Sequence, residues 1–110
     1  MPSRNRNDAA FLNDVAEACG TIIERSRHRN FSDFVSNGEF RDSVILQLII
    51  LGESSNYLTD RTKDLYPGAP WREVIGLRNL LIHKYWTVDH LKIWKVVQED
   101  VPQLLELLSS

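Results

Sequence analysis

Apolar residues recur at three- and four-residue steps along most of this chain, and few segments alternate with period two. That pattern predicts helices and argues against strands. From about Asp8 to Arg29, Phe11, Leu12, Val15, Cys19, Ile22 and Ile23 share one face. Asn30 to Gly38 reads as a connector, tucked onto the bundle by Phe31 and Phe34. A second helix runs from about Glu39 to Leu58, with Val44, Ile45, Leu46, Leu48, Ile49, Ile50 and Leu51 covering nearly its whole circumference. A helix apolar all round is central, or is covered on its second side by another chain. Leu65 to Pro70 is a turn, and a third helix follows from Trp71 to about Tyr85. The fourth is expected to start near Thr87, a suitable N-cap, with Asp89 in its first turn. Leu91, Trp94, Val97, Val101, Leu104 and Leu108 form its apolar face, and Pro102 inside that pattern is expected to kink or interrupt it. The predicted fold class is all-α, a four- to five-helix up-and-down bundle.

Length fits one domain over residues 1–110, with 1–7 expected to be a flexible N-terminus. A chain this long buries about two-thirds of the surface it exposes when unfolded, enough for a core without staples. The single cysteine excludes an intrachain disulfide and fits a reducing compartment. Cys19 itself reads as a small core residue. The longest aliphatic run, Val44 to Leu51, is broken by Gln47 and falls well short of the ~20 residues a membrane span needs. No apolar segment follows the N-terminus that would suit a signal peptide, so the expected location is the cytoplasm.

A net charge of −2 and a pI of about 5.9 argue against an extended groove for long nucleic acid. They leave room for a small basic site. Arg25, Arg27 and Arg29 cluster where the first helix ends. The helix dipole favours cations there, which is the plain explanation; contact with an RNA backbone is the functional one.

The stretch Arg78-Asn79-Leu80-Leu81-Ile82-His83-Lys84-Tyr85 carries the candidate chemistry. At about 100° per residue, Arg78 falls inside the apolar arc of Val74, Leu77 and Leu81, with Tyr85 two turns on and nearly above it. Asn79 and His83 lie on a separate polar stripe, one turn apart. A guanidinium in an apolar arc is costly unless paired. Glu53 and Asp42, on the second helix, are the best internal partners, and a buried Arg–Glu pair tying two helices is the structural explanation. Taken alone, His83 reads as a surface histidine and Tyr85 as a boundary aromatic.

Together these residues suit phosphate chemistry. Arginine binds phosphate bidentately, and histidine moves protons near neutral pH. Metal-free RNA cleavage needs a base for the ribose 2′-OH, an acid for the leaving oxygen and a cation for the developing charge. One chain supplies a single histidine in this setting, because His28 and His90 lie in other segments. A two-fold homodimer formed through the third and fourth helices would bring two His83 and two Arg78 to one cleft. No zinc spacing, glycine-rich phosphate loop or nucleophile elbow is present, so no metal or other cofactor is expected.

The Arg-x4-His-x-Tyr spacing, with its surroundings, resembles the HEPN superfamily, and specifically HepT-like toxins of HEPN/minimal-nucleotidyltransferase modules. Arg41-Asp42-Ser43-Val44 and Leu51-Gly52-Glu53 resemble that family's second helix. Tyr66-Pro67-Gly68-Ala69-Pro70-Trp71 through Arg78-Asn79 resembles its approach to the active site. Val88-Asp89, Trp94 and Glu99-Asp100-Val101-Pro102 resemble its last helix. The likeness spans roughly residues 8–108. It implies a homodimeric, metal-independent endoribonuclease acting on tRNA or mRNA, the toxin of a type VII-like toxin–antitoxin module. Arg78 and His83 match the catalytic pair, Asn79 a supporting polar residue, and Tyr85 the tyrosine that a cognate nucleotidyltransferase antitoxin AMPylates. Lys84 stands where many relatives have glycine and adds a cation for phosphate; Glu53 is counted with Asn79 and Lys84 as a supporting residue. The competing possibilities are a non-catalytic module that partners a nucleotidyltransferase, and a helical dimerisation domain with no nucleic-acid role.

Overall fold

The computed structural model describes residues 7–110. Of the segment 1–7 expected to be flexible, residues 1–6 lie outside the described residues. Asn7 is the N-cap of the first helix, its side chain accepting from the Ala10 N–H at 3.0 Å.

Helix α1 (Asp8–Ser26) buries Phe11, Val15, Ala18, Cys19 and Ile22, the face the periodicity marks. Burial pushes the Cys19 thiol up to about 12, as suits an inert core residue. The helix stops at Ser26, short of the expected Arg29. His28 takes a left-handed φ of 64°, which turns the chain away. Arg27 and Arg29 therefore lie beyond the helix rather than on its last turn.

The expected connector contains a second helix, α2 (Phe31–Ser36). Six residues are too few to show a period. The local signal is a reciprocal capping box, in which Asn30 accepts from the Asp33 N–H and Asp33 from the Asn30 N–H, both at 2.9 Å. Phe34 on α2 is fully buried, packed edge-on against Phe40 and tilted against Trp94.

Helix α3 (Gly38–Tyr57) is central, packing on α1 along one side and on α5 along another. Val44, Leu48, Leu51 and Ser55 are buried between them, while Leu46 and Ile50 stay exposed. The near-continuous apolar surface of this helix thus exceeds what one chain covers. Thr59 caps the short α4 (Asp60–Asp64). The Thr59 and Thr62 hydroxyls both donate to the Asp8 carboxylate, tying the end of α3 to the start of α1. The Trp71 indole donates to the Lys63 carbonyl at 3.3 Å, seating the first turn of α5 (Trp71–His83).

Helix α5 ends two residues earlier than expected. Lys84 leaves the helix at φ −145°, and a 3-10 turn follows at Tyr85–Thr87. Thr87 is not the N-cap of the last helix. Its hydroxyl donates back to the Lys84 carbonyl at 2.7 Å, and Asp89 caps α6 (His90–Lys95) by accepting from the Leu91 N–H at 2.9 Å. The interruption expected at Pro102 takes the form of a π turn at Val96–Asp100, where the Val101 N–H reaches five residues back to the Val96 carbonyl. Proline lacks an N–H and its ring crowds the carbonyl four residues back, and the wider turn absorbs both defects. Helix α7 (Val101–Ser109) continues from it.

Four long elements, α1, α3, α5 and the α6–α7 rod, form an up-and-down bundle, the all-α architecture the pattern predicts. Arg25 on the last turn of α1 donates to Ser43 near the start of α3. Phe34 on α2 meets His90 at the start of α6. Gln103 on α7 donates to the Gly68 carbonyl at the opposite end. Hence the end of α1, the start of α3, the end of α5 and the start of α6 all lie at one end of the bundle. Among the described residues, no helix is long and apolar enough to cross a membrane.

Candidate active site

The site is built where α5 crosses α3. Gly52 makes the approach possible. A β-carbon there would lie 2.2 Å from Cβ of Arg78 and 2.8 Å from the Val74 carbonyl oxygen, far inside contact distance. With only hydrogen at position 52, the guanidinium of Arg78 can lie along α3 and pair through Nη2 with Oε1 of Glu53, the very next residue. Glu53, rather than Asp42, is thus the partner of the two carboxylates the sequence offered. The pair sits at the edge of the core: the Arg78 side chain is 19% exposed and that of Glu53 41%.

Arg78 is shared three ways. Nη2 goes to Glu53, Nη1 donates to Oδ1 of Asn79 at 2.8 Å, and Nε is buried without a partner. An unmade bond on a buried donor is expensive, so this guanidinium is incompletely satisfied within the chain. Asn79 is exposed and steers the fork from solvent.

His83 is the last residue of α5, and its imidazole is exposed. Lys84 is exposed just past it, at φ −145° and ψ 45°, a negative φ that does not call for glycine. Tyr85 is 44% exposed on the 3-10 turn. The helical wheel stacks Tyr85 above Arg78, and the break at Lys84 removes it from that register. The bonded group is Arg78, Glu53 and Asn79, while His83, Lys84 and Tyr85 stand at the open end of the same helix.

The sequence pattern assigns no role to two residues here. Gly52 is a packing requirement that only the α3–α5 crossing reveals. Trp86, next to Tyr85, is 80% exposed. An indole left in water is uncommon, but its exposure follows from the end of α5, and a pattern running the helix through to Tyr85 conceals it.

An all-α up-and-down bundle with a paired arginine and, five residues on at the helix end, an open histidine defines a HEPN-like protein. The model of the family described as "Ribonuclease HepT-like" matches residues 15–110. The chain is 40% identical over 99 residues to a protein of Methanocaldococcus jannaschii named "Putative RNase MJ1380", covering 90% of this chain and 91% of that one. It is also 40% identical over 99 residues to the "Probable ribonuclease HepT" of Thermococcus cleftensis, covering 90% of each. The chain belongs to the ribonuclease HepT-like family. No solved structure matches it significantly.

Proposed function

We propose that this protein is an endoribonuclease that cleaves tRNA or mRNA without a metal, by transesterification to a 2′,3′-cyclic phosphate. The observation that carries the proposal is the arginine fork: a cation preset by Glu53 and Asn79, with one buried N–H still unmade. In this reading Arg78 clamps the charge that develops on the phosphate oxygens. His83, free in solvent at the helix end, transfers the proton, and Lys84 adds attraction for the backbone. Family membership supports RNA as the substrate class.

A single chain offers one exposed histidine in this setting, so the mechanism requires a homodimer that places base and acid on different subunits. Exposed Ile82, Trp86 and Leu91 cluster in the segment proposed as the interface. The cellular role proposed is that of a toxin held in check by a cognate nucleotidyltransferase that AMPylates Tyr85. The hydroxyl stands on an exposed turn, and adenylate there would put negative charge where RNA phosphates approach.

One observation favours the alternative, a non-catalytic module that partners a nucleotidyltransferase: Arg78 already has a carboxylate partner and can be wholly structural. Expression in a host cell separates the two. Growth arrest abolished by His83→Ala supports the nuclease, and harmless wild-type expression supports the module. Tyr85 is tested by mass spectrometry after incubation with the nucleotidyltransferase and ATP: the wild type gains adenylate and Tyr85→Phe does not.

A further inference from the structure

A second cationic site lies away from α5. The end of α1 and the π turn line an open cleft of about 300 Å3, with Ser26, Arg27, His28 and Arg29 on one side, Gln98 and Pro102 on the other, and Ile23 and Val97 as its apolar lining. No carboxylate lines it. In a chain whose net charge is −2, this is a concentrated positive surface.

The helix dipole favours a cation at the C-cap, Arg27, and does not explain the two basic residues that follow it. Helix α1 ends at Ser26, so Arg27, His28 and Arg29 lie past its last turn. Two carbonyls at that end are already satisfied, Glu24 by the Arg27 N–H and Ser26 by the Arg29 N–H. Arg25 is occupied by Ser43, and the Arg29 guanidinium lies 4.8 Å from the centre of the Phe40 ring. Among the described residues, the Arg27 guanidinium has no hydrogen-bond or ion-pair partner.

Ser26 is the independent sign of a ligand. Thr21, Ser36 and Ser109 each donate to the carbonyl four residues back, as helical hydroxyls usually do. Ser26 does not. It is 7% exposed, and its hydroxyl is buried with no partner, a state that costs free energy unless something fills it. An oxyanion in the cleft would take the hydroxyl as a donor and the guanidinium of Arg27 as a charged fork.

We propose that this cleft is a second phosphate site, holding a backbone phosphodiester of the RNA at a distance from the bond being cleaved. The anion chemistry stands on the cleft alone; RNA as its source rests on the function proposed above. The placement suits it, because the end of α1 and the end of α5 lie at the same end of the bundle. The cleft would favour longer substrates over minimal ones without taking part in the chemistry.

The first test uses inorganic phosphate, titrated into 15N-labelled protein with amide shifts as the readout. Saturable shifts are expected at residues 26–29 and 97–98, lost in Arg27→Ala and weakened in Ser26→Ala. Ser26→Ala would melt no lower than wild type, since it removes an unsatisfied hydroxyl. Shifts that do not saturate, or that persist unchanged in both variants, overturn the site. The second test compares cleavage of a long RNA with that of a dinucleotide. Arg27→Glu is expected to lower kcat/KM on the long RNA about tenfold and leave the dinucleotide unchanged. An equal effect on both substrates overturns the proposal. If wild type cleaves neither substrate, it is the ribonuclease assignment that fails, and the phosphate titration decides the site by itself.

Discussion

Gly52 on α3 and Arg78 on α5 are in such close contact that a β-carbon on the glycine would fall 2.2 Å from that of the arginine. The obstacle is backbone and a first side-chain atom, not a flexible tip, so the helices themselves would have to part. Gly52→Ala is expected to destabilise the fold by about 1–3 kcal/mol despite its favourable helix propensity. It should also pull Glu53 away from Arg78 and lower RNA cleavage more than the stability loss explains. Urea unfolding together with a cleavage assay checks both, and an alanine variant as stable as wild type would contradict the packing.

The Glu53–Arg78 pair lies between the surface and core regimes. Exposed pairs contribute little and buried ones cost much to break. Glu53→Gln keeps the shape and removes the charge, and a loss of about 1–2 kcal/mol is expected, discounted for the solvent that reaches Glu53. Cleavage falls too, because the fork loses one of its two restraints. An unchanged urea midpoint would show that the pair ties nothing together.

Acid stability has a local signature at Asp8. Hydroxyl donation from Thr59, and then from Thr62, holds its carboxyl below the ordinary value of 3.8. A lowered folded value means that its contribution is present above the unfolded value and is lost as pH falls through the folded one. Wild type should therefore exceed Asp8→Asn in stability at about pH 7, with the gap closing below about pH 4. Melting curves across that range check it. A gap of constant size would contradict the charge-based account.

The proposed dimer predicts a mass near twice that of one chain by light scattering at micromolar concentration. Trp86→Ser combined with Leu91→Ser removes two exposed apolar side chains from the proposed interface. The double variant is expected to become monomeric while its melting temperature stays close to wild type. A wild type that is monomeric would weigh heavily against the mechanism, which needs two histidines.

The long helices were legible because their buried faces repeat over three or more turns, as Phe11–Val15–Cys19–Ile22 do on α1. That Arg78 needs a carboxylate partner was legible for the same reason, because the wheel put a charge in an apolar arc; the choice of Glu53 over Asp42 was not, since it depends on the α3–α5 crossing at Gly52. The ends were not. Asn30 and Asp33 make a helix from six residues by capping each other, below the reach of any period. Lys84 breaks α5 with no glycine or proline to mark the break, so Tyr85 was placed on a face it does not occupy. Gly52 matters only through a contact with a residue far along the chain, which no local pattern carries.

The central claim is that Arg78 and His83 cut RNA without a metal. The most direct measurement is incubation of purified protein with total RNA in EDTA, beside His83→Ala and Arg78→Ala. His83 is exposed at the end of its helix, so its alanine variant should fold within about 0.5 kcal/mol of wild type and isolate the chemistry. Cleavage by wild type that ends in 2′,3′-cyclic phosphates, and that is lost in both variants, is the predicted result. Equal cleavage by all three proteins, or cleavage that EDTA abolishes, would contradict it.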